Sequence, residues 1–192
     1  MKFSDETSMK LYRQTVEDFC LYTGKEFSEE EMEALRRAAG QMSAKMRAVR
    51  IVSASSVSKR DLQQRLVQKG ENPEQAREAV AWMSDLNLLD DARVAEQVVA
   101  RCISKGYGLL RAKQALYEKK IPKQYWDRAL EDYPDQQEEI EEFLRSRLDG
   151  SSDQKDVKKA IDALMRRGHS YGTIRRALNE LRFDAEEFPE EY

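Results

Sequence analysis

The side chains that most often carry catalysis are few and scattered in this 192-residue chain. It has a single histidine, His169, so no pair of imidazoles can hold a metal, and a histidine-based nucleophile–base couple has little to build on. His169 stands in an expected turn, where a ring packing at the start of a helix is its ordinary use. Cys20 and Cys102 are far apart and belong to no CxxC pattern; the expectation is two buried thiols in a reducing cytosol, neither bridged nor ligating. Asp90-Asp91 would supply paired carboxylates for acid–base work. The pair follows Leu89 at the start of a helical pattern, however, where acids accept from the free N–H groups of a first turn. Gly106-Tyr107-Gly108 lacks the third glycine and the strand context of a dinucleotide fingerprint, and no phosphate-loop pattern occurs. The expectation is a protein that is not an enzyme, with no catalytic residues, no metal and no cofactor.

Charge offers more. The net charge is −3, but residues 101–128 carry eight Lys/Arg against two acids, and residues 155–176 carry seven against two. Residues 131–142 hold seven acids and no base, and residues 182–192 hold five acids against Arg182. Such alternation sorts basic and acidic surfaces onto different helices. The candidate partner-binding or nucleic-acid-binding residues are Lys105, Arg111, Lys113, Lys119 and Lys120 around one cluster, and Arg166, Arg167, Arg175 and Arg176 around the next. Lys113 and Lys120 are seven apart and would share a helix face. Tyr107 between basic residues could stack on a base, worth about 1–3 kcal/mol. Each phosphate neutralised would steepen the log–log salt dependence by about 0.9.

The elements that must position these residues are helices. The chain is 40% hydrophobic and 36% charged, with 8 Gly and 4 Pro, too few for the closely spaced turns of an all-β chain. Ser28-Glu29-Glu30-Glu31 and Asn72-Pro73-Glu74-Gln75 read as capping boxes, with Ser58, Ser152 and Ser170 as further caps. Gly40, Gly70, Gly150 and Gly168 fall where apolar periodicity stops. Met9, Tyr12, Val16 and Phe19 line an N-terminal helix. A long helix from Ser28 is expected to bend or break at Gly40, and Trp82, Tyr125 and Trp126 are expected in the core. No segment approaches the roughly 18 apolar residues of a membrane span.

Three blocks repeat: Leu62 to Gly70, Ala112 to Lys120 and Ala160 to Gly168. Each places an apolar residue four before a leucine (Leu66, Leu116, Leu164) and a base three after it. Ala79-Val80, Ala129-Leu130 and Ala177-Leu178 follow at one common offset. A period near 50 residues suits three short helices, each set completing the core that a helical hairpin alone cannot close. The expected division is an N-terminal helical extension (1–56), three-helix repeats at 57–107 and 108–151, and a truncated third repeat with an acidic tail (152–192).

Three segments carry a family resemblance. They are Ser58-Lys59-Arg60-Asp61-Leu62 through Lys69-Gly70; Leu88-Leu89-Asp90-Asp91-Ala92-Arg93 with Lys105-Gly106-Tyr107-Gly108 and Leu116 to Ile121; and Arg166-Arg167-Gly168-His169-Ser170-Tyr171 with Ile174-Arg175-Arg176-Ala177-Leu178. Over residues 28–183 the chain resembles the RecX family of recombination regulators, departing from its pattern at Val94 and His169. The resemblance implies an elongated, curved array of three-helix repeats lying in the groove of a RecA recombinase filament. It further implies modulation, chiefly inhibition, of filament assembly, ATP hydrolysis and strand exchange, with single-stranded DNA as an optional further partner. A cytoplasmic monomer is expected. The competing readings are a helix-turn-helix DNA-binding module and a helical-repeat adaptor with no recombination role.

Overall fold

The computed structural model describes residues 1–4, 6–148 and 153–181. Ser152, Gly150 and the acidic tail 182–192 lie outside the described residues. Among the described residues the secondary structure is helical, apart from an isolated antiparallel bridge between Lys2 and Ser8. The helices are α1 (Arg13–Asp18), α2 (Glu29–Ala54), α3 (Lys59–Gln68), α4 (Pro73–Asp85), α5 (Asp91–Ser104), α6 (Leu109–Glu118), a 3-10 turn (Lys123–Tyr125) leading into α7 (Trp126–Leu130), α8 (Gln137–Leu148), α9 (Gln154–Arg166) and α10 (Tyr171–Glu180). No helix of the described residues is long and apolar enough to cross a membrane.

The chain forms two compact units, Met1–Asp91 and Ala92–Tyr192. In the first, α2, α3 and α4 enclose one core built on Ala44, Ala48, Leu62, Leu66, Ala76, Ala79 and Met83. In the second, α5, α6 and α7 enclose Val94, Ala95, Val99, Leu116 and Ile121. There α8, α9 and α10 enclose Ile140, Leu144, Leu148, Ile161, Leu164, Ile174 and Leu178. These cores run across positions 57, 108 and 152, where the sequence period places the boundaries between repeats. The repeated block is the middle helix of each trio, and the helix before it, not only those after it, supplies apolar partners. Each block leucine is fully buried, so truncating one to alanine costs about 2–5 kcal/mol.

The three blocks also end alike. The N–H groups of Glu71, Ile121 and His169 bond to the carbonyls of Leu66, Leu116 and Leu164 at 3.1, 3.1 and 3.2 Å. One residue earlier, Gly70, Lys120 and Gly168 bond to Val67, Tyr117 and Met165. This double closure requires a left-handed residue, and φ is +90°, +55° and +88° at Gly70, Lys120 and Gly168. The base three after each leucine (Lys69, Lys119, Arg167) is the C-cap, where positive charge suits the helix dipole.

Several local expectations are corrected. α2 runs unbroken through Gly40, because that glycine makes room: a Cβ there would lie 2.4 Å from the Gln75 amide. Ser28 and Glu31 form the expected reciprocal box, at 3.2 and 2.9 Å. Asn72 caps Glu74 at 2.9 Å, but Gln75 turns away to the Arg37 carbonyl, so no second box forms. The N-terminal helix is short, since residues 1–4 pair with residues 6–9 instead, the Phe3 N–H donating to the Thr7 carbonyl and the Met9 N–H to the Met1 carbonyl. Cys20 is exposed; Cys102 is buried as expected. Asp91 caps a neighbouring helix, accepting the Lys59 N–H at 2.8 Å at the start of α3. Trp82, Tyr125 and Trp126 are half-buried against their cores, the Trp126 indole donating to the Ile121 carbonyl at 3.0 Å.

Candidate polyanion-binding cleft

Within the second unit, the α5–α6 turn meets the α9–α10 turn by backbone contact. The N–H groups of Gly108 and Leu110, at the start of α6, donate to the carbonyls of Arg167 and Gly168 at 2.9 and 3.2 Å. The unpaired donors of one helix end thus satisfy the unpaired acceptors of another, with their dipoles opposed favourably. Both glycines are needed for this approach. A Cβ on Gly108 would lie 2.2 Å from the Gly168 carbonyl oxygen, and one on Gly168 would lie 2.3 Å from the Arg111 nitrogen. Gly108 therefore serves as an N-cap without a side chain.

Two side chains lock the junction. His169 is buried, with Nε2 3.1 Å from the Gly106 carbonyl. Burial lowers its pKa, and Arg167 adds to the effect; the Gly106 carbonyl and Glu139 oppose it. The neutral ring donates from Nε2. The Tyr133 hydroxyl donates to the Tyr107 carbonyl, and burial holds its pKa up to about 12, so it stays a donor. Burial also raises the Cys102 thiol against the pull of Arg111, Lys105 and Arg101, which leaves it protonated and a poor nucleophile.

The result is an open cleft of about 550 Å³ lined by Lys105, Tyr107, Arg111, Ala163, Arg166 and Arg167. Lys105 lies 5.8 Å from the Tyr107 ring centre, and Arg167 sits 4.8 Å over the Phe143 ring. Arg111 is held at 2.9 Å by Glu118, whose hydrogen bond raises the arginine pKa further and offsets part of its charge. Lys105, Arg166 and Arg167 are exposed. Four cations and one aromatic side chain line this cleft, a combination that suits a polyanion.

Five of the ten residues singled out from sequence therefore converge, and they do so across two three-helix cores rather than within one. Lys113, Lys119, Lys120, Arg175 and Arg176 do not line the cleft. α6 ends at Glu118, so Lys120 lies in the left-handed turn beyond it and does not share a helical face with Lys113. Arg176 reaches Asp135 at 3.7 Å. Sequence reasoning missed Glu118 as the partner of Arg111, Phe143 as the support of Arg167, and the pairing of Gly108 with Gly168. Only the glycines left a signal, as small residues beside the basic blocks.

Successive three-helix cores, two of them joined at a basic cleft within the second unit, define the class: a helical-repeat protein. A family model described as RecX, second three-helix domain, matches residues 90–130, the span of α5, α6 and α7. The chain is 31% identical over 134 residues to the regulatory protein RecX of Stenotrophomonas maltophilia, covering 68% of this chain and 82% of that one. It is 29% identical over 141 residues to the regulatory protein RecX of Vibrio campbellii, covering 72% and 91%. A crystal structure of regulatory protein RecX matches the fold with a TM-score of 0.69 at 19% identity, covering 93% of this chain and 91% of that one. That of RecX from Lactobacillus salivarius matches with a TM-score of 0.64 at 22% identity, covering 77% and 99%. The chain belongs to the RecX family of regulatory proteins.

Proposed function

We propose that this protein regulates a RecA-type recombinase filament, binding it and impeding its assembly, ATP hydrolysis and strand exchange. The cleft of Lys105, Tyr107, Arg111, Arg166 and Arg167 faces the filament's acidic surface or the phosphodiester strand it carries. The observation behind this reading is that four cationic side chains from two helical cores line one cleft, brought together by backbone hydrogen bonds between their turns. Family membership supports the regulatory role. Lys119 and Lys120, half-buried at the end of α6, are secondary candidates, and Lys113, Arg175 and Arg176 extend the positive surface.

The test is strand exchange and ATP hydrolysis by the cognate recombinase across a salt series, with the wild-type chain and with Lys105→Glu/Arg166→Glu. Both residues are exposed, so the fold is expected to survive reversal. Loss of inhibition is the expected result. Inhibition equal to wild type at every salt concentration removes the cleft from the mechanism.

A further inference from the structure

The cleft is bordered by apolar surface as well as charge. Leu109 and Leu110, at the start of α6 beside Arg111, are 41% and 55% exposed, and Tyr117, two turns further on the same face as Leu110, is 73% exposed. A ligand made only of phosphate would leave this fringe unused. A matching composition lies in the chain itself. Residues 182–192 hold Asp184, Glu186, Glu187, Glu190 and Glu191 interleaved with Phe183, Phe188 and Tyr192.

We infer that the acidic, aromatic segment 182–192 docks in cis on the basic cleft and its leucine–tyrosine fringe, competing with the polyanionic partner. The inference rests on the reading of this cleft as the recognition surface. Reach is sufficient. Arg167 stands four residues before α10, whose 10 residues span about 15 Å, so the chain leaves α10 within about 15 Å of that helix's start. Eleven extended residues cover about 36 Å, enough to return along the helix to the cleft. Tethering makes the encounter intramolecular, with an effective concentration of order millimolar, so a weak ionic and aromatic match suffices. Arg175 and Arg176 lie on α10 itself, and Arg176 is already paired to Asp135.

The test compares the full chain with a full-length variant in which the five acids are neutralised: Asp184→Asn, Glu186→Gln, Glu187→Gln, Glu190→Gln and Glu191→Gln. In NMR spectra the side-chain Nε–Hε resonances of Arg111, Arg166 and Arg167 are expected to move on neutralisation, independently of protein concentration. Titration with inorganic tripolyphosphate, read at the same resonances, is expected to give about tenfold tighter binding in the variant, as an occupant present nine-tenths of the time would impose. Unmoved cleft arginines, shifts confined to Arg175 and Arg176, a response that vanishes on dilution, or equal tripolyphosphate affinity each overturn the inference. If the cleft arginines respond while Lys105→Glu/Arg166→Glu still inhibits the recombinase, the docking stands and the proposed function falls. If inhibition depends on the cleft but its arginines ignore the tail acids, the reverse holds.

Discussion

The backbone of Gly108 lies against that of Gly168: its N–H bonds to the carbonyl of Arg167, and a Cβ on it would come within 2.2 Å of the Gly168 oxygen. This contact brings Lys105 and Tyr107 to Arg166 and Arg167, so the cleft is a property of the junction between two turns.

Gly108→Ala tests that dependence. Its φ of −73° suits alanine, so the cost comes from the collision with backbone alone, about 1–3 kcal/mol. Urea unfolding is expected to show that loss, together with weaker polyanion binding. Gly172→Ala is the control: its added methyl would meet nothing nearer than the Ser170 hydroxyl at 3.9 Å, and the helix should gain up to about 1 kcal/mol with binding unchanged.

Lys120→Gly should stabilise the second unit. Its φ of +55° is a left-handed conformation that costs a side-chain-bearing residue about 1 kcal/mol, and glycine holds the equivalent place at 70 and 168. A higher urea midpoint is expected. Because the substitution removes a charge without damaging the fold, any accompanying loss of recombinase inhibition reports on that lysine's own contact.

Glu118→Gln should tighten binding to a polyanion, the opposite sign from any change to the cleft cations. It releases Arg111 from a 2.9 Å ion pair at the surface. Such pairs are worth about 0.5 kcal/mol, so an affinity gain of about twofold at low salt is expected, shrinking as salt is added. Fluorescence anisotropy with a labelled oligonucleotide measures it.

His169 makes the junction sensitive to acid. Its folded pKa lies below the ordinary 6.5 because the ring is buried, so the unfolded chain takes up the proton first as pH falls. Stability from this group is fully present above 6.5 and is lost as pH drops through the lowered folded value. Urea midpoints measured downward from neutral pH should fall more steeply for the wild type than for His169→Phe. Parallel curves would show that the ring does not titrate between the two states.

Much of this was open to one-dimensional reading because its causes are local. The helical class, the caps at Ser28, Ser58 and Ser170, and the three blocks around Leu66, Leu116 and Leu164 follow from side-chain period and from first-turn and last-turn chemistry. These involve residues within about five positions of one another. Family membership rests on the same blocks. What failed was long-range. Gly40 looked like a stop until Gln75 of another helix came to lie against it, and the trios were cut one helix late because a periodic stripe does not name its partner. The basic residues could be counted but not assembled. That Lys105 and Arg111 join Arg166 and Arg167, while Lys120 turns away beyond the end of α6, was decided by two glycine-lined turns about sixty residues apart, through backbone hydrogen bonds that leave no trace in periodicity.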